Sequence, residues 1–155
     1  MGHPEIVLLF GRICSGKGTY MKKSRTSARV VVSDIVKSLI KGTDRSSLQD
    51  TLYLEAKIAS TILDVTEDLV AEAVWETIIV DGIRQASIVD IVLKRWPKAT
   101  LIWLDTSTEE RRRRYNNRAD RRDTESFEVA DNRPIELECQ KIFELYKSKL
   151  IIINN

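Results

Sequence analysis

Five short runs of aliphatic and β-branched residues punctuate the chain: "EIVLLF" at 5–10, "RVVV" at 29–32, "TIIVDG" at 77–82, "TLIWLD" at 100–105 and "KLIIIN" at 149–154. Each is nearly continuous rather than alternating, which predicts strands covered on both faces. Between them the period becomes that of a helix, over 17–25, 34–41, 47–74, 86–95, 108–118 and 134–147. In the longest of these, Leu48, Leu52, Ala59, Ile62, Leu63, Leu69, Val70 and Val74 approximate one apolar face, with room for a break between Asp64 and Asp68. The alternation predicts an α/β fold, a five-stranded parallel sheet with helices on both faces. The least regular piece, 116–133, is polar and rich in turn residues, and reads as a flap or a surface helix pair rather than a domain boundary.

A chain of 155 residues with 43% hydrophobic and 31% charged content suits one domain over 1–155. The apolar runs are too short for a membrane span, and "MGHPEIVLLF" lacks the basic start and cleavage pattern of a signal peptide, so the expected location is the cytoplasm. Cys14 and Cys139 form no CxxC spacing and His3 stands alone, which argues against a disulfide framework or a zinc site. The net charge of +2 conceals bunching of basic residues at 22–25, 111–118 and 121–122. Such runs are most often solvated helix faces, so any functional meaning has to come from position.

Position supplies it first at "LLFGRICSGKGTY", 8–20, where Gly11, Gly16 and Gly18 fall between a buried strand and the start of a helix. Glycines there let backbone N–H groups converge on an anion, where unpaired donors and the helix dipole already favour negative charge. A phosphate chain fits, with Lys17 reaching its outer groups and the Thr19 hydroxyl near its metal or inner groups. Asp81 ends the strand "TIIVD", where an acidic residue can hold magnesium through water or, more simply, cap a helix. Asp34 follows the strand "RVVV". It either takes or orients the proton of an attacking hydroxyl, or caps the next helix together with Ser33. Arg111, Arg114 and Arg118, with Tyr115, fall at helical spacings of three and four and make one basic stripe, while Arg112 and Arg113 read as a solvated face.

These strings resemble known proteins. "GRICSGKGT" resembles the phosphate loop of adenylate kinase and other nucleoside monophosphate kinases, although Gly18 stands where GK[ST] loops have a hydroxyl, leaving direct metal coordination by Thr19 open. "DGIRQ" resembles the "DGFPR" strand end of adenylate kinases and the "DGIR" of dephospho-CoA kinase-like proteins. "VSDIVK" resembles their "GDMLR", with Lys37 in place of the arginine. The resemblance implies a P-loop kinase fold with a lid at 116–133, ATP and Mg2+ as cofactors, and a nucleotide site at Gly11, Arg12, Ile13, Cys14, Ser15, Gly16, Lys17, Gly18 and Thr19. It further implies Lys17, Asp34, Arg111, Arg114 and Arg118 as catalytic residues, and Lys37, Arg45 and Arg84 as substrate contacts. Arg84 lies one place earlier than the family arginine. Within this group the chain is similar to phage-encoded kinases that phosphorylate 5-hydroxymethyluracil in DNA. That implies DNA carrying a hydroxymethylated pyrimidine as partner, in a host cytoplasm; Tyr53, Trp75 and Tyr115 either stack on an extruded base or, as such aromatics more often do, fill core or surface. The alternatives are a kinase of a nucleoside monophosphate or dephospho-CoA and, in a different class, a regulatory ATPase switch. A switch has no need of a base for a substrate hydroxyl.

Overall fold

The computed structural model describes residues 2–21, 26–40, 55–118 and 125–155. Leu48, Leu52, Tyr53, Arg45 and the basic residues at 22–25 and 121–122 lie outside them. The elements run β1 (Glu5–Phe10), α1 (Lys17–Met21), β2 (Ser27–Val31), α2 (Val32–Leu39), α3 (Glu55–Glu72), β3 (Thr77–Asp81), α4 (Ala86–Arg95), β4 (Thr100–Asp105), α5 (Thr108–Asn116), α6 (Phe127–Asp131), α7 (Pro134–Tyr146) and β5 (Leu150–Asn154).

All strand pairs are parallel, in the order β2-β3-β1-β4-β5. Their aliphatic content makes this arrangement stable, since βαβ crossovers bring helices over both faces. On one face Leu8, Phe10, Ile78, Val80, Leu101 and Trp103 pack with Ile58 and Ile62 of α3, Ile88 and Val92 of α4, and Ile142 of α7. The opposite face is smaller, with Val7, Leu9, Ile79, Ile102 and Leu104 beneath Met21 of α1. β1, β3 and β4 are covered on both sides, as their composition predicts. β5 departs from the expectation: it is an edge strand, and Ile151 and Ile152 are 53% and 43% exposed.

Two helix expectations are corrected. α3 runs unbroken through Asp64 and Asp68, because Ile58, Ala59, Ile62 and Thr66 keep one face in the core while both aspartates point to solvent. It ends at Glu72, the next residue, Ala73, taking a left-handed φ of 57°, and Val74 beyond it is 63% exposed rather than part of the apolar face. α2 begins at Val32, two residues before the expected start, since β2 runs directly into it with Val31 as N-cap. Asp34 therefore sits inside the first turn.

The order places β1 between β3 and β4, while the chain leaving β1 through α1 continues to β2 on the far side of β3. A crevice opens at the carboxyl ends of strands where connections diverge in this way, and open α/β sheets place ligands there.

Candidate phosphate-binding site

The turn from β1 into α1 passes through two left-handed residues, Cys14 at φ 61° and Gly16 at φ 95°, with Ser15 N–H donating to the Arg12 carbonyl at 3.1 Å. A Cβ at Gly11 would collide with the Ser15 side chain, and one at Gly16 with the Asn155 amide and the Arg114 guanidinium. The glycines that suggest a phosphate loop are thus also required by close approach. Asn155 Nδ2 and Thr106 Oγ1 both donate to the Ser15 carbonyl, at 2.6 and 2.9 Å, which closes the outer side of the turn.

Lys17 opens α1, its Nζ donating to the Gly11 carbonyl at 3.3 Å. Burial pushes its pKa down and neighbouring Arg84 adds to this, with Asp81 and Glu136 pulling the other way. An ammonium group held at such a disadvantage gains more than a solvated one from a polyanion placed beside it.

Asp81 ends β3, in register with Leu9 of β1 and Val31 of β2, so it stands between the loop and the start of α2. Burial raises its pKa, against the pull of Lys17, Arg84 and Arg29, and its Oδ1 has no hydrogen-bond partner among the described residues. The N-cap of α4 is Gln85, so Asp81 is not a helix cap. A buried carboxylate oxygen left unsatisfied beside a phosphate loop has the chemistry to hold a hydrated magnesium ion.

Asp34 is exposed in the first turn of α2, and that helix has no side-chain cap. The capping alternative for Ser33 and Asp34 is therefore removed, and the Asp34 carboxylate is left facing the crevice. Residues 13–19 of the loop and Asp34, Asp81, Arg84 and Arg118 line one cavity of about 520 Å³. Arg29 of β2 and Arg133 line it too, neither of which the sequence patterns single out.

Several expected site residues lie elsewhere. Arg12 turns away from the cavity and binds Asp131 at 2.8 Å and Gln140 at 3.3 Å. Lys37 is exposed on α2 outside the cavity lining. The arginine stripe meets the loop from behind: Arg111 Nη1 reaches the Ile13 carbonyl at 3.4 Å, Arg114 Nη1 the Cys14 carbonyl at 3.3 Å, and Arg118 Nη2 the Cys14 sulfur at 2.9 Å. Of the three, Arg118 alone lines the cavity. Arg111 is buried and anchored to Asp131 at 2.6 Å, and Arg114 is paired with Glu110 at 3.1 Å. Arg112 and Arg113 pair with Glu128 and Glu110 on the outer surface, as a solvated face should.

For Trp75 and Tyr115 the structure selects the packing alternative over stacking. Tyr115 is 1% exposed, packed edge-on to Phe127 with its hydroxyl donating to the Glu125 carbonyl. Trp75 precedes β3, at the end of the sheet opposite the loop, and donates to Glu72. Neither is placed to meet a base at the cavity.

Two carboxylates that sequence patterns did not mark tie the loop to α6 and α7. Asp131, at the end of α6, bridges Arg12 and Arg111. Glu136 of α7 is 3% exposed; it accepts from the Ile13 amide at 2.6 Å and pairs with Arg84. Asp131→Ala would leave the buried Arg111 and the partly buried Arg12 without their shared partner, and breaking a buried pair costs about 3–5 kcal/mol. The expected outcome in urea denaturation is a stability loss of that order, and a loss below about 1 kcal/mol would contradict the anchoring role.

Strand, glycine-rich turn, lysine at a helix start and a carboxylate on the adjacent strand end define a P-loop, kinase-like α/β domain. The AAA domain family matches residues 6–133, and the chain belongs to that family. Among solved structures it is similar to a chain of the "Pnkp1/Rnl/Hen1 RNA repair complex", with TM-score 0.65 and 18% identity over 96% of this chain and 47% of that one. It is also similar to TT1252 from Thermus thermophilus, with TM-score 0.62 and 17% identity over 99% of this chain and 90% of that one. The chain thus spans about half the length of the first. No curated protein matches it. Likeness at these identities carries the fold, and the activity has to be argued from the site.

Proposed function

We propose that this chain is an ATP-dependent phosphotransferase that moves the γ-phosphate to an alcohol hydroxyl, and that the hydroxyl is the 5-hydroxymethyl group of hydroxymethyluracil in DNA. One observation carries the transfer: Asp34, free of any capping bond, lines the same cavity as Lys17, Thr19 and Asp81. A carboxylate there can take the proton of the oxygen that attacks the γ-phosphorus, and the acceptor assay decides between an alcohol and water.

The loop amides and Lys17 hold the triphosphate at the crevice, where α1 adds its positive end. Asp34 accepts the proton as the acceptor oxygen bonds to the γ-phosphorus and the bond to the ADP oxygen breaks. Magnesium, held through water by Asp81 with Thr19 nearby, would neutralise charge on the phosphate oxygens. Arg118 meets the transferring group from the lid side, while Arg111 and Arg114 act by fixing the loop carbonyls. Arg84 faces the acceptor, with Lys37 on α2 beyond the cavity lining.

The DNA acceptor is supported by the likeness of "GRICSGKGTY", "VSDIVK" and "VDGIRQ" to phage kinases of that substrate, and by basic clusters able to track a phosphate backbone. A second reading, a free nucleoside monophosphate or dephospho-CoA, is favoured by Arg29 and Arg84 in the cavity wall, since they suit an acceptor carrying its own phosphate. The test offers labelled ATP and magnesium with hydroxymethyluracil-containing DNA, unmodified DNA, RNA, deoxynucleoside monophosphates and dephospho-CoA in parallel. RNA belongs in the panel because one similar fold comes from an RNA repair complex. Label on the modified DNA alone, weakening as salt rises, is the expected result. Label confined to a mononucleotide or to dephospho-CoA promotes the second reading and ends the first.

A further inference from the structure

The helix that follows the lid grips the phosphate loop with one face. Glu136, Cys139 and Gln140, spaced at three and four, meet the Ile13 amide, the Gly11 carbonyl and Arg12 respectively. Glu136 differs from the other two in what its oxygens separate. Oε1 accepts from the Ile13 amide at 2.6 Å and lies 3.9 Å from Arg12 Nε, whereas Oε2 pairs with Arg84 across the cavity wall. Its side chain is 5% exposed, so water does not compete for either oxygen.

A carboxylate in this position has two consequences. It orients the first loop turn by holding an amide that would otherwise swing towards the phosphates. It also holds Arg84 away from Asp81, the neighbouring carboxylate that attracts it. Burial works against the Arg84 charge, and Glu136, with help from Cys139 and Asp81, more than restores it.

We propose that Glu136 is the positioning residue of this site, with one oxygen setting the nucleotide loop and the other setting Arg84 for the acceptor. This rests on the phosphotransferase reading for the acceptor half only; the loop half stands on nucleotide binding. Glutamine keeps an oxygen for the Ile13 amide but replaces the charge opposite Arg84 with an amide, whereas alanine removes both. In Glu136→Gln, affinity for a non-hydrolysable ATP analogue is expected to stay within about twofold of the unaltered protein, while acceptor KM rises about tenfold. In Glu136→Ala, analogue affinity should fall about tenfold as well, in the range of losing a buried, charge-assisted hydrogen bond. Because Glu136 acts on the acceptor through Arg84, adding Glu136→Gln to Arg84→Ala should raise acceptor KM no further than Arg84→Ala does alone.

The experiment is calorimetric titration of the analogue into the four variants, with thermal unfolding as the control for fold and steady-state kinetics for the acceptor arm. A purely structural role would give additive losses in the double variant and equal analogue binding in Glu136→Gln and Glu136→Ala. Either result overturns the proposal. Should the unaltered protein phosphorylate none of the acceptors offered, the phosphotransferase reading fails, and the analogue titration alone decides the loop half. Should Glu136→Ala not fold, Glu136→Gln in the same titration decides it: tenfold weakening of analogue binding there overturns the assignment.

Discussion

Lys17→Ala is expected to lower phosphoryl transfer by about 100-fold or more while leaving the fold in place, since losing a comparable group that stabilises charge in the transition state costs at least that. The structure explains why fold and activity separate here. Among the described residues the Lys17 Nζ donates to one backbone carbonyl, Gly11, at 3.3 Å, and burial pushes its pKa down, so the folded chain gains little from keeping an ammonium at this place. A triphosphate reverses that, because the charge that was unfavourable becomes the counterion of the outer phosphates. The check is the initial rate with saturating ATP, beside thermal unfolding of both proteins. A variant that keeps more than about a tenth of the rate would remove the loop from the chemistry.

Asp34→Asn is the second large effect. General-base assistance contributes about 100-fold or more, and that loss should appear in kcat with the KM for ATP nearly unchanged. Asparagine is nearly the same size and caps helices as well as aspartate does, but α2 starts at Val32 with no side-chain cap, so capping offers no competing explanation. The substitution removes only a negative charge and a proton acceptor. Some helix stability is lost with it, since a carboxylate in the first turn interacts favourably with the helix dipole by about 0.3–1 kcal/mol. Unchanged kcat would leave Asp34 that helix contribution and nothing more.

Much of the fold was legible because parallel sheets leave a strong trace. Strands 5–10 and 100–105 and helix 86–95 coincide with the structure at both ends, since each is a continuous apolar or helically periodic run with polar neighbours. The loop and the strand-end Asp81 were legible for the same reason, being tied to a strand end. What sequence patterns missed is long-range. Whether Arg111 meets a phosphoryl group or Asp131 depends on how α5 packs on α6, and no spacing within "RRRRYNNR" carries that information. Glu136 left a faint signal, a carboxylate among Ile135, Cys139 and Ile142 on the buried face of α7, which suggests a paired charge but not its partners. Trp75 and Tyr115 stayed open between stacking and filler because an aromatic residue alone does not say which end of the sheet it stands at.

The central claim is that this site delivers phosphate to an organic hydroxyl rather than to water. A single turnover with γ-labelled ATP and magnesium, in the presence of hydroxymethyluracil-containing DNA, with products separated into inorganic phosphate and phosphorylated acceptor, tests it most directly. The account predicts that most of the label moves to the acceptor and that Asp34→Asn slows this transfer about 100-fold. Label recovered only as inorganic phosphate, from every acceptor offered and at equal rates with and without Asp34, would make the protein a nucleotide hydrolase and contradict the account.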